Sequence, residues 1–114
     1  DAGNNMTADL HEFLLRLMAQ PYDDLLFEWR ASDHISVNDT YHLVRRTGNY
    51  EDPFDWYHMN SIHKDELGNY LVSARYTHSV TYIDGATGDV IWVLGGKSNM
   101  FLDMSNGSAI ILAW

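Results

Sequence analysis

The stretch 55-DWYHMNSIHKDELGNYLVSARYTHSVTYIDGATGDVIWVLGG-96 decides the fold of this chain. It contains four runs rich in β-branched and aromatic residues: WYHMNSIH, YLVSARY, SVTYID and VIWVLGG. The turns KDELGN and GATGD and a tight break at Thr77–His78 separate these runs, and such polar and Gly-bearing breaks are typical of strand connections. Four strand-sized runs joined by short turns predict an antiparallel meander over residues 55–95.

A meander of this length, ending in an aromatic strand and a Gly-Gly pair, has the size of one β-propeller blade. Gly85 and Gly88 suit a turn that needs positive φ, and Trp92 is expected to pack between blades. Upstream, LLFEW at 25–29 is expected to be the last strand of a preceding blade, followed by a polar connection to about Pro53. The predicted fold class is mainly β, a propeller fragment. Residues 1–114 then form a single partial domain, with 55–95 as one blade and 1–54 as the remnant of the preceding blade and its connection.

A lone blade leaves apolar surface uncovered, because repeat units of this kind form a core only with their neighbours. The predicted strands carry apolar side chains on both faces, among them Tyr57, Leu71, Val80, Tyr82 and Ile91. Unpaired sheet edges add to this surface. We therefore expect the isolated chain to self-associate through its uncovered blade faces.

The beginning of the chain leaves two interpretations open. In ADLHEFLLRLMA, residues 8–19, Leu10, Leu14, Leu17 and Met18 follow the spacing of a helical apolar stripe. The piece LHEFLL is equally compatible with a strand. A short N-terminal segment, helical or extended, is expected ahead of the meander.

Composition limits the classes of partner. The 114 residues are 46% hydrophobic and 13% aromatic, include no Cys and carry a formal net charge of -9. These values indicate a globular domain, or part of one, without a disulfide framework. The acidic charge argues against nucleic acid and anionic membrane surfaces as partners. No apolar run approaches the roughly 20 residues of a membrane-spanning helix.

Sequons give the only indication of compartment. N-x-S/T sequences occur at Asn5, Asn38 and Asn106, where chance predicts about one. The chain begins at Asp1 rather than at Met, so we expect a mature form or a fragment. These observations favour a secreted glycoprotein.

The first run also places polar side chains together. On a strand, residues i and i+2 share a face, so His58 and Asn60 are predicted to lie beside Trp56 and Ile62. The opposite face would then carry Tyr57, Met59, Ser61 and His63. Taken alone, a histidine on a strand is most often a hydrogen-bonded structural residue, and the HxN spacing by itself is weak evidence for a site.

The same stretch resembles the core of the arylsulfotransferase (ASST) family, particularly its fungal members. These proteins carry a DWxHxNS motif, then dGNYLvSaRhT, then a strand ending in Id-TGeviW-LGGK. The resemblance extends upstream through LLFEWRASDHISVNDTY and downstream through KSNMFLDMSNGSAI, and ADLHEF also resembles a family segment. It implies a six-bladed propeller in which a histidine is transiently sulfated. A sulfuryl group then moves from a phenolic sulfate ester to another phenol.

The resemblance also implies site residues. His58 and Asn60 match the HxN pair, Arg75 matches the arginine of the SxR motif, and His34 matches the DH element after the FEW strand. A transferring sulfuryl group carries negative charge on its oxygens, so the guanidinium, amide and imidazole groups suit it as donors. We expect these side chains to converge near one small anion, with an aryl sulfate or a phenol as the partner molecule.

Two departures from the family pattern bear on activity. The family places further strands between elements resembling HEF and LLFEW, which are close together here. Family members also continue past a segment like GSAIILAW into a Q-H-D-A motif, which supplies the histidine associated with sulfation, whereas this sequence ends at Trp114. The expectation from the sequence is therefore a truncated, inactive arylsulfotransferase-like domain.

Two other functions stay open at this stage. One is a non-catalytic propeller module, or pseudoenzyme, used for binding. The other is a quinoprotein-like propeller, suggested by TGDVIW, which would require further repeats of that pattern and a calcium cluster. The acidic turns DELGN and DGATGD lack the ligand spacing of an EF-hand. No cofactor and no metal are expected.

Overall fold

The computed structural model describes residues 10–19, 21–22 and 24–102. Its strands are Leu14–Ala19 (β1), Asp24–Arg30 (β2), Met59–Lys64 (β3), Tyr70–Ala74 (β4), Ser79–Ile83 (β5) and Val90–Leu94 (β6), with 3₁₀ turns at Ala31–Asp33 and Val37–Asp39. Strands β1 and β2 form one antiparallel sheet, and β3 to β6 form a second antiparallel sheet in chain order. The chain is mainly β, and its four-stranded sheet has the order expected of a propeller blade fragment.

The N-terminal segment is extended, so the helical interpretation of residues 8–19 is wrong for the part that the structure describes. In β1, Leu15 lies opposite Trp29 and Leu17 opposite Phe27. Leu15 and Trp29 are buried. Pairing with β2 satisfies the backbone of β1 and places alternate leucines on the aromatic side of the hairpin, an arrangement that a helix would not provide.

The core lies between this hairpin and one face of the four-stranded sheet. Its buried members are Leu15, Trp29, Ala31, Phe54, Trp56, Tyr57, Tyr70, Val72, Ala74 and Ile83. The rings of Phe27 and Tyr70 stack across the two sheets with centroids 5.2 Å apart. LLFEW is therefore half of a hairpin that covers the meander, and Trp29 is its deepest anchor.

The opposite face of the meander is apolar and only partly covered. Leu71, Tyr82 and Trp92 form one cross-strand row, and each is half-buried. The Tyr82 and Trp92 rings stack at 5.1 Å, and Phe101 meets Trp92 edge-on at 5.3 Å. Among the described residues, no helix is long and apolar enough to cross a membrane.

The first strand of the meander begins later than predicted. Strand β3 starts at Met59, not near Asp55, because His58 has φ +55, which lies outside the β region. The pairing register then shifts between Met59 and Ser61, so Asn60 is the extra residue of a bulge. The predicted common face of His58, Asn60, Trp56 and Ile62 is therefore wrong: Trp56 is 0% exposed whereas Ile62 is 47% exposed.

Two turns at one end of the sheet are joined by side chains. Asp65 accepts hydrogen bonds from the backbone N–H groups of Leu67 and Asn69 and from the Tyr82 hydroxyl. Asn69 donates to that hydroxyl at 3.0 Å and accepts from the N–H of Gly85 at 2.9 Å. The β3–β4 turn and the β5–β6 turn therefore form a single hydrogen-bonded unit.

The two glycines of the second turn serve different purposes. Gly88 has φ +82, as predicted. Gly85 does not have a positive φ, and the prediction for it is wrong. A Cβ on Gly85 would overlap the carbonyl oxygen of Gly68, so glycine is required there for the close approach of two backbones.

We predict that Gly85→Ala will destabilise the fold by roughly 3 kcal/mol, at the upper end of the cost of overpacking, because the new methyl group meets backbone. The matched change Gly68→Ala has φ +85 but meets nothing within 4 Å, so it should cost only about 1–2 kcal/mol. Urea denaturation of both variants measures the difference. A larger loss of stability for Gly68→Ala than for Gly85→Ala would contradict the close approach of Gly85 to the Gly68 carbonyl.

The same turn unit should make stability depend on pH. The Tyr82 hydroxyl, by donating to Asp65, lowers the pKa of that carboxyl. A lowered carboxyl pKa contributes stability above the ordinary Asp value of about 3.9 and loses it as the pH falls further. Tyr82→Phe should therefore flatten the acid side of the stability profile below about pH 4, relative to wild type. Tyr76→Phe is the matched control, and an equal flattening by both variants would refute this assignment.

Candidate functional site

The segment 55–58 lies against the turn that follows β4. The N–H of Arg75 donates to the carbonyl of His58 at 2.9 Å, and the N–H of Tyr76 donates to the carbonyl of Tyr57 at 3.2 Å. Because β4 ends at Ala74, Arg75 belongs to this turn and not to the strand. The backbone therefore places His58 and Arg75 next to each other at the end of the sheet opposite the Asp65 turn.

His58 is paired with a carboxylate three residues before it. Its Nδ1 lies 2.6 Å from Oδ2 of Asp55, and the two side chains are 40% and 27% exposed. A carboxylate at this position accepts, so Nδ1–H of His58 donates and Nε2 is the ring nitrogen left for other partners. The other carboxylate oxygen, Oδ1 of Asp55, is buried and makes no hydrogen bond within the described residues.

Tyr76 brings the predicted residues together. The His58 ring meets the Tyr76 ring edge-on with centroids 5.4 Å apart, and the guanidinium carbon of Arg75 lies 5.4 Å from the Tyr76 centroid. One aromatic ring thus contacts both the imidazole and the guanidinium. Of the four residues predicted for the site, these two are brought together.

His42 joins the same cluster from the connection between the sheets. Its ring stacks on Tyr76 at 3.8 Å and on Phe54 at 5.6 Å. Its Nδ1 lies 2.9 Å from the backbone carbonyl oxygen of Asp55, so this nitrogen carries the proton that it donates. Asp55 therefore contacts two histidines, one through its side chain and one through its backbone.

The other two predicted residues lie outside these contacts. Asn60 is exposed on the bulge of β3. His34 is exposed and stacks on Trp29, with centroids 5.2 Å apart. No hydrogen bond or ring contact found in residues 10–19, 21–22 and 24–102 joins either of them to the cluster of His42, Asp55, His58, Arg75 and Tyr76.

Sequence reasoning missed three members of this cluster. Asp55 could have been found from the DxxH spacing, because a bend after the aspartate returns its carboxylate to the histidine. Tyr76 follows the arginine of the SxR motif, and its position next to that arginine is the signal that could have found it. His42 carries no local signal, since its contacts with Tyr76 and Asp55 are far apart in the sequence.

The cluster combines one guanidinium, one carboxylate and two imidazoles at a partly exposed surface. The guanidinium of Arg75 has N–H donors that suit an anion, and Nε2 is the ring nitrogen of His58 that is not bonded to Asp55. Over the described ranges, no group of three or more His, Cys, Asp or Glu side chains could hold a metal ion. The chemistry that the arrangement supports is anion binding coupled to proton transfer.

The predicted glycosylation sites are only partly described. Asn38 lies exposed in the second 3₁₀ turn, where its backbone carbonyl accepts a hydrogen bond from Lys97 at 3.2 Å. Asn5 and Asn106 lie outside the described residues. At Asn38 the amide side chain is therefore accessible.

Comparison with protein families gives a match over most of the chain. A protein-family model described as "Arylsulfotransferase (ASST)" matches residues 19–109, well over half of the chain. The matched range includes His34, His42, Asp55, His58 and Arg75. No curated protein and no solved structure matches.

The left-handed backbone at His58 gives a test of the site geometry. We predict that His58→Gly will be more stable than His58→Ala by about 1–2 kcal/mol, because glycine adopts φ +55 without the clash of a Cβ. The matched pair is at Lys64 in β3, where Gly should be less stable than Ala by roughly 0.5–1 kcal/mol. Chemical denaturation of the four variants measures both differences, and the same order at both positions would contradict the conformation of His58.

Proposed function

The chain belongs to the arylsulfotransferase (ASST) family, and from this premise we propose that its His58 site takes part in moving a sulfuryl group from a phenolic sulfate ester to a phenol. The observation that carries the proposal is the convergence of His58 and Arg75 on Tyr76, with His58 already paired to Asp55. A propeller architecture is part of the proposal. The partly covered outer face of the meander, with Leu71, Tyr82 and Trp92, supports it.

Charge development explains why these groups suit the reaction. As a sulfuryl group passes between two oxygens, its own oxygens carry negative charge, and fixed donors stabilise that state most when they are already in place. Arg75 is exposed, presents a planar set of N–H donors, and lies with its guanidinium over the Tyr76 ring. Positioning and charge stabilisation are also the main effects in phosphoryl transfer, the nearest chemical analogue.

His58 supplies the proton chemistry. A phenol loses its hydroxyl proton when it attacks sulfur, and a departing phenolate gains one. An imidazole with one free nitrogen can serve both needs near neutral pH. In this proposal Asn60 and His34 are outer members of the site that contact the substrate rather than the cluster.

The proposal predicts the effect of substitutions at Arg75. Arg75→Ala should lower the rate of sulfuryl transfer from an aryl sulfate to a phenol by roughly 10²–10³-fold, the usual effect of removing one preorganised donor. Arg75→Lys should restore little of this, because a single ammonium does not reproduce the planar set of donors. Release of the donor phenol, followed by absorbance, measures the rate.

Arg46→Ala is the matched control, since Arg46 is an exposed arginine of the connecting segment. It should leave the rate within about twofold of wild type, as expected for a surface substitution. Wild-type activity that Arg75→Ala and Arg46→Ala leave equally intact would overturn the role of Arg75. Wild-type protein that binds aryl sulfates but transfers nothing would favour a non-catalytic binding module instead.

A further inference from the structure

We propose that Asp55 is a positioning residue that fixes His58 in the tautomer with its proton on Nδ1, so that Nε2 presents a lone pair to the phenol. The catalytic role of Asp55 rests on the proposed function. The tautomer of His58 rests on the contacts around Asp55 alone. It assigns to the aspartate of the DWYH stretch a role that the matching motif alone does not indicate.

The pairing has the geometry of an oriented imidazole. The Asp55 carboxylate lies 2.6 Å from Nδ1 of His58, slightly shorter than the roughly 2.7–2.9 Å that is usual for a charge-assisted N–H···O bond. With Oδ1 buried and making no hydrogen bond within the described part of the chain, Oδ2 is the oxygen through which this carboxylate interacts. The proton on Nδ1 is therefore held, and the ring is turned so that Nε2 points away from Asp55.

Asp55 is itself fixed in place. Its neighbours Phe54 and Trp56 are buried, at 2% and 0% exposure. Its backbone carbonyl accepts from Nδ1 of His42, whose ring lies between Phe54 and Tyr76. The carboxylate is thus attached to a backbone that is anchored on both sides, in contrast to a flexible surface ion pair, which contributes little.

The backbone of His58 supports the same conclusion. His58 is a non-glycine residue with positive φ, a strained conformation that persists only where the surrounding contacts determine it. Here the His58 carbonyl accepts from Arg75, its ring meets Tyr76 and its Nδ1 meets Asp55. The strained conformation brings the imidazole to Asp55 and Tyr76 and the backbone carbonyl to the N–H of Arg75.

The tautomer determines what His58 can do in the reaction. As the oxygen of the incoming phenol forms its bond to the sulfur of the aryl sulfate, its hydroxyl proton passes to Nε2. The bond between sulfur and the ester oxygen of the aryl sulfate breaks, and the departing phenolate keeps the electron pair. The same proton then passes from Nε2 to that phenolate. The carboxylate of Asp55 stabilises the imidazolium that exists between the two steps.

The test is nitrogen NMR of the imidazole in the 114-residue chain, recorded at about pH 9, well above the ordinary pKa of histidine. Wild-type His58 should show the Nδ1–H tautomer as its dominant form. Asp55→Asn should shift the population towards Nε2–H, because the amide can donate to Nδ1. Asp55→Ala should do the same, because the acceptor is gone. A carboxylate that contributes to folding without bonding Nδ1 would leave the tautomer unchanged.

Asp52→Asn is the matched control, because Asp52 is an exposed carboxylate in the same segment; it should leave the His58 spectrum unchanged. Wild-type His58 in the Nε2–H form, or a tautomer that Asp55→Asn and Asp55→Ala leave unaltered, would overturn the inference. If the variants do not fold, the wild-type spectrum alone tests the inference, because it shows whether His58 carries its proton on Nδ1 or on Nε2.

Activity separates this inference from the proposed function. If the protein transfers sulfuryl groups, Asp55→Asn should lower the rate by roughly 10²–10⁴-fold, the usual contribution of acid–base catalysis, and Asp52→Asn should not. The expected tautomers together with a complete absence of transfer by wild type would support the positioning role and contradict the proposed function. Transfer that Asp55→Asn does not slow would contradict the positioning role and leave the proposed function standing.

Discussion

Burial of the aromatic side chains in the segment 54–57 is the constraint that joins the two sheets to the candidate site. Trp56 donates from Nε1 to the carbonyl of His11 at 3.1 Å, and the N–H of His11 donates to the carbonyl of Phe54 at 3.0 Å. The Tyr57 ring meets Trp29 of the hairpin at 6.5 Å. Each of these large side chains contributes about 1.5–3 kcal/mol on full burial. Phe54, Trp56 and Tyr57 are buried. Asp55, the remaining residue of the segment, bonds His58 through its side chain.

The core that results contains polar atoms. The Nε1 of Trp29, the hydroxyl of Tyr57 and Oγ1 of Thr81 are buried and make no hydrogen bond within the described residues. Burial raises the pKa of Tyr57 to about 12. Tyr57 is therefore a neutral phenol at physiological pH. Since its pKa is raised in the folded state, its contribution to stability is complete below an ordinary tyrosine pKa of about 10 and is lost as the pH rises towards 12.

The sequence was a good guide to the meander and a poorer guide to the site. Turn chemistry at DELGN and GATGD locates strands β4 to β6, because polar residues and glycine restrict the backbone locally. Period-2 alternation fails over 56–60, because the left-handed φ of His58 and the bulge at Asn60 each reverse the face that a side chain takes. The contacts of His42 and Tyr76 with this segment are long-range, and no local pattern predicts them. The extended form of β1 likewise depends on pairing with β2, which overrides the helical spacing of its leucines.

The joined turns at the far end of the sheet also limit how this domain can diverge. Asn69 of one turn holds the backbone of Gly85 in the other, and the carbonyl of Gly68 occupies the space next to Gly85. An insertion in either loop would separate these partners, so a change in the length of one loop requires a compensating change in the other. The lengths of these two loops are therefore coupled through their contacts. The turn at the opposite end of the sheet, where Arg75 lies beside His58, is not part of this coupled pair.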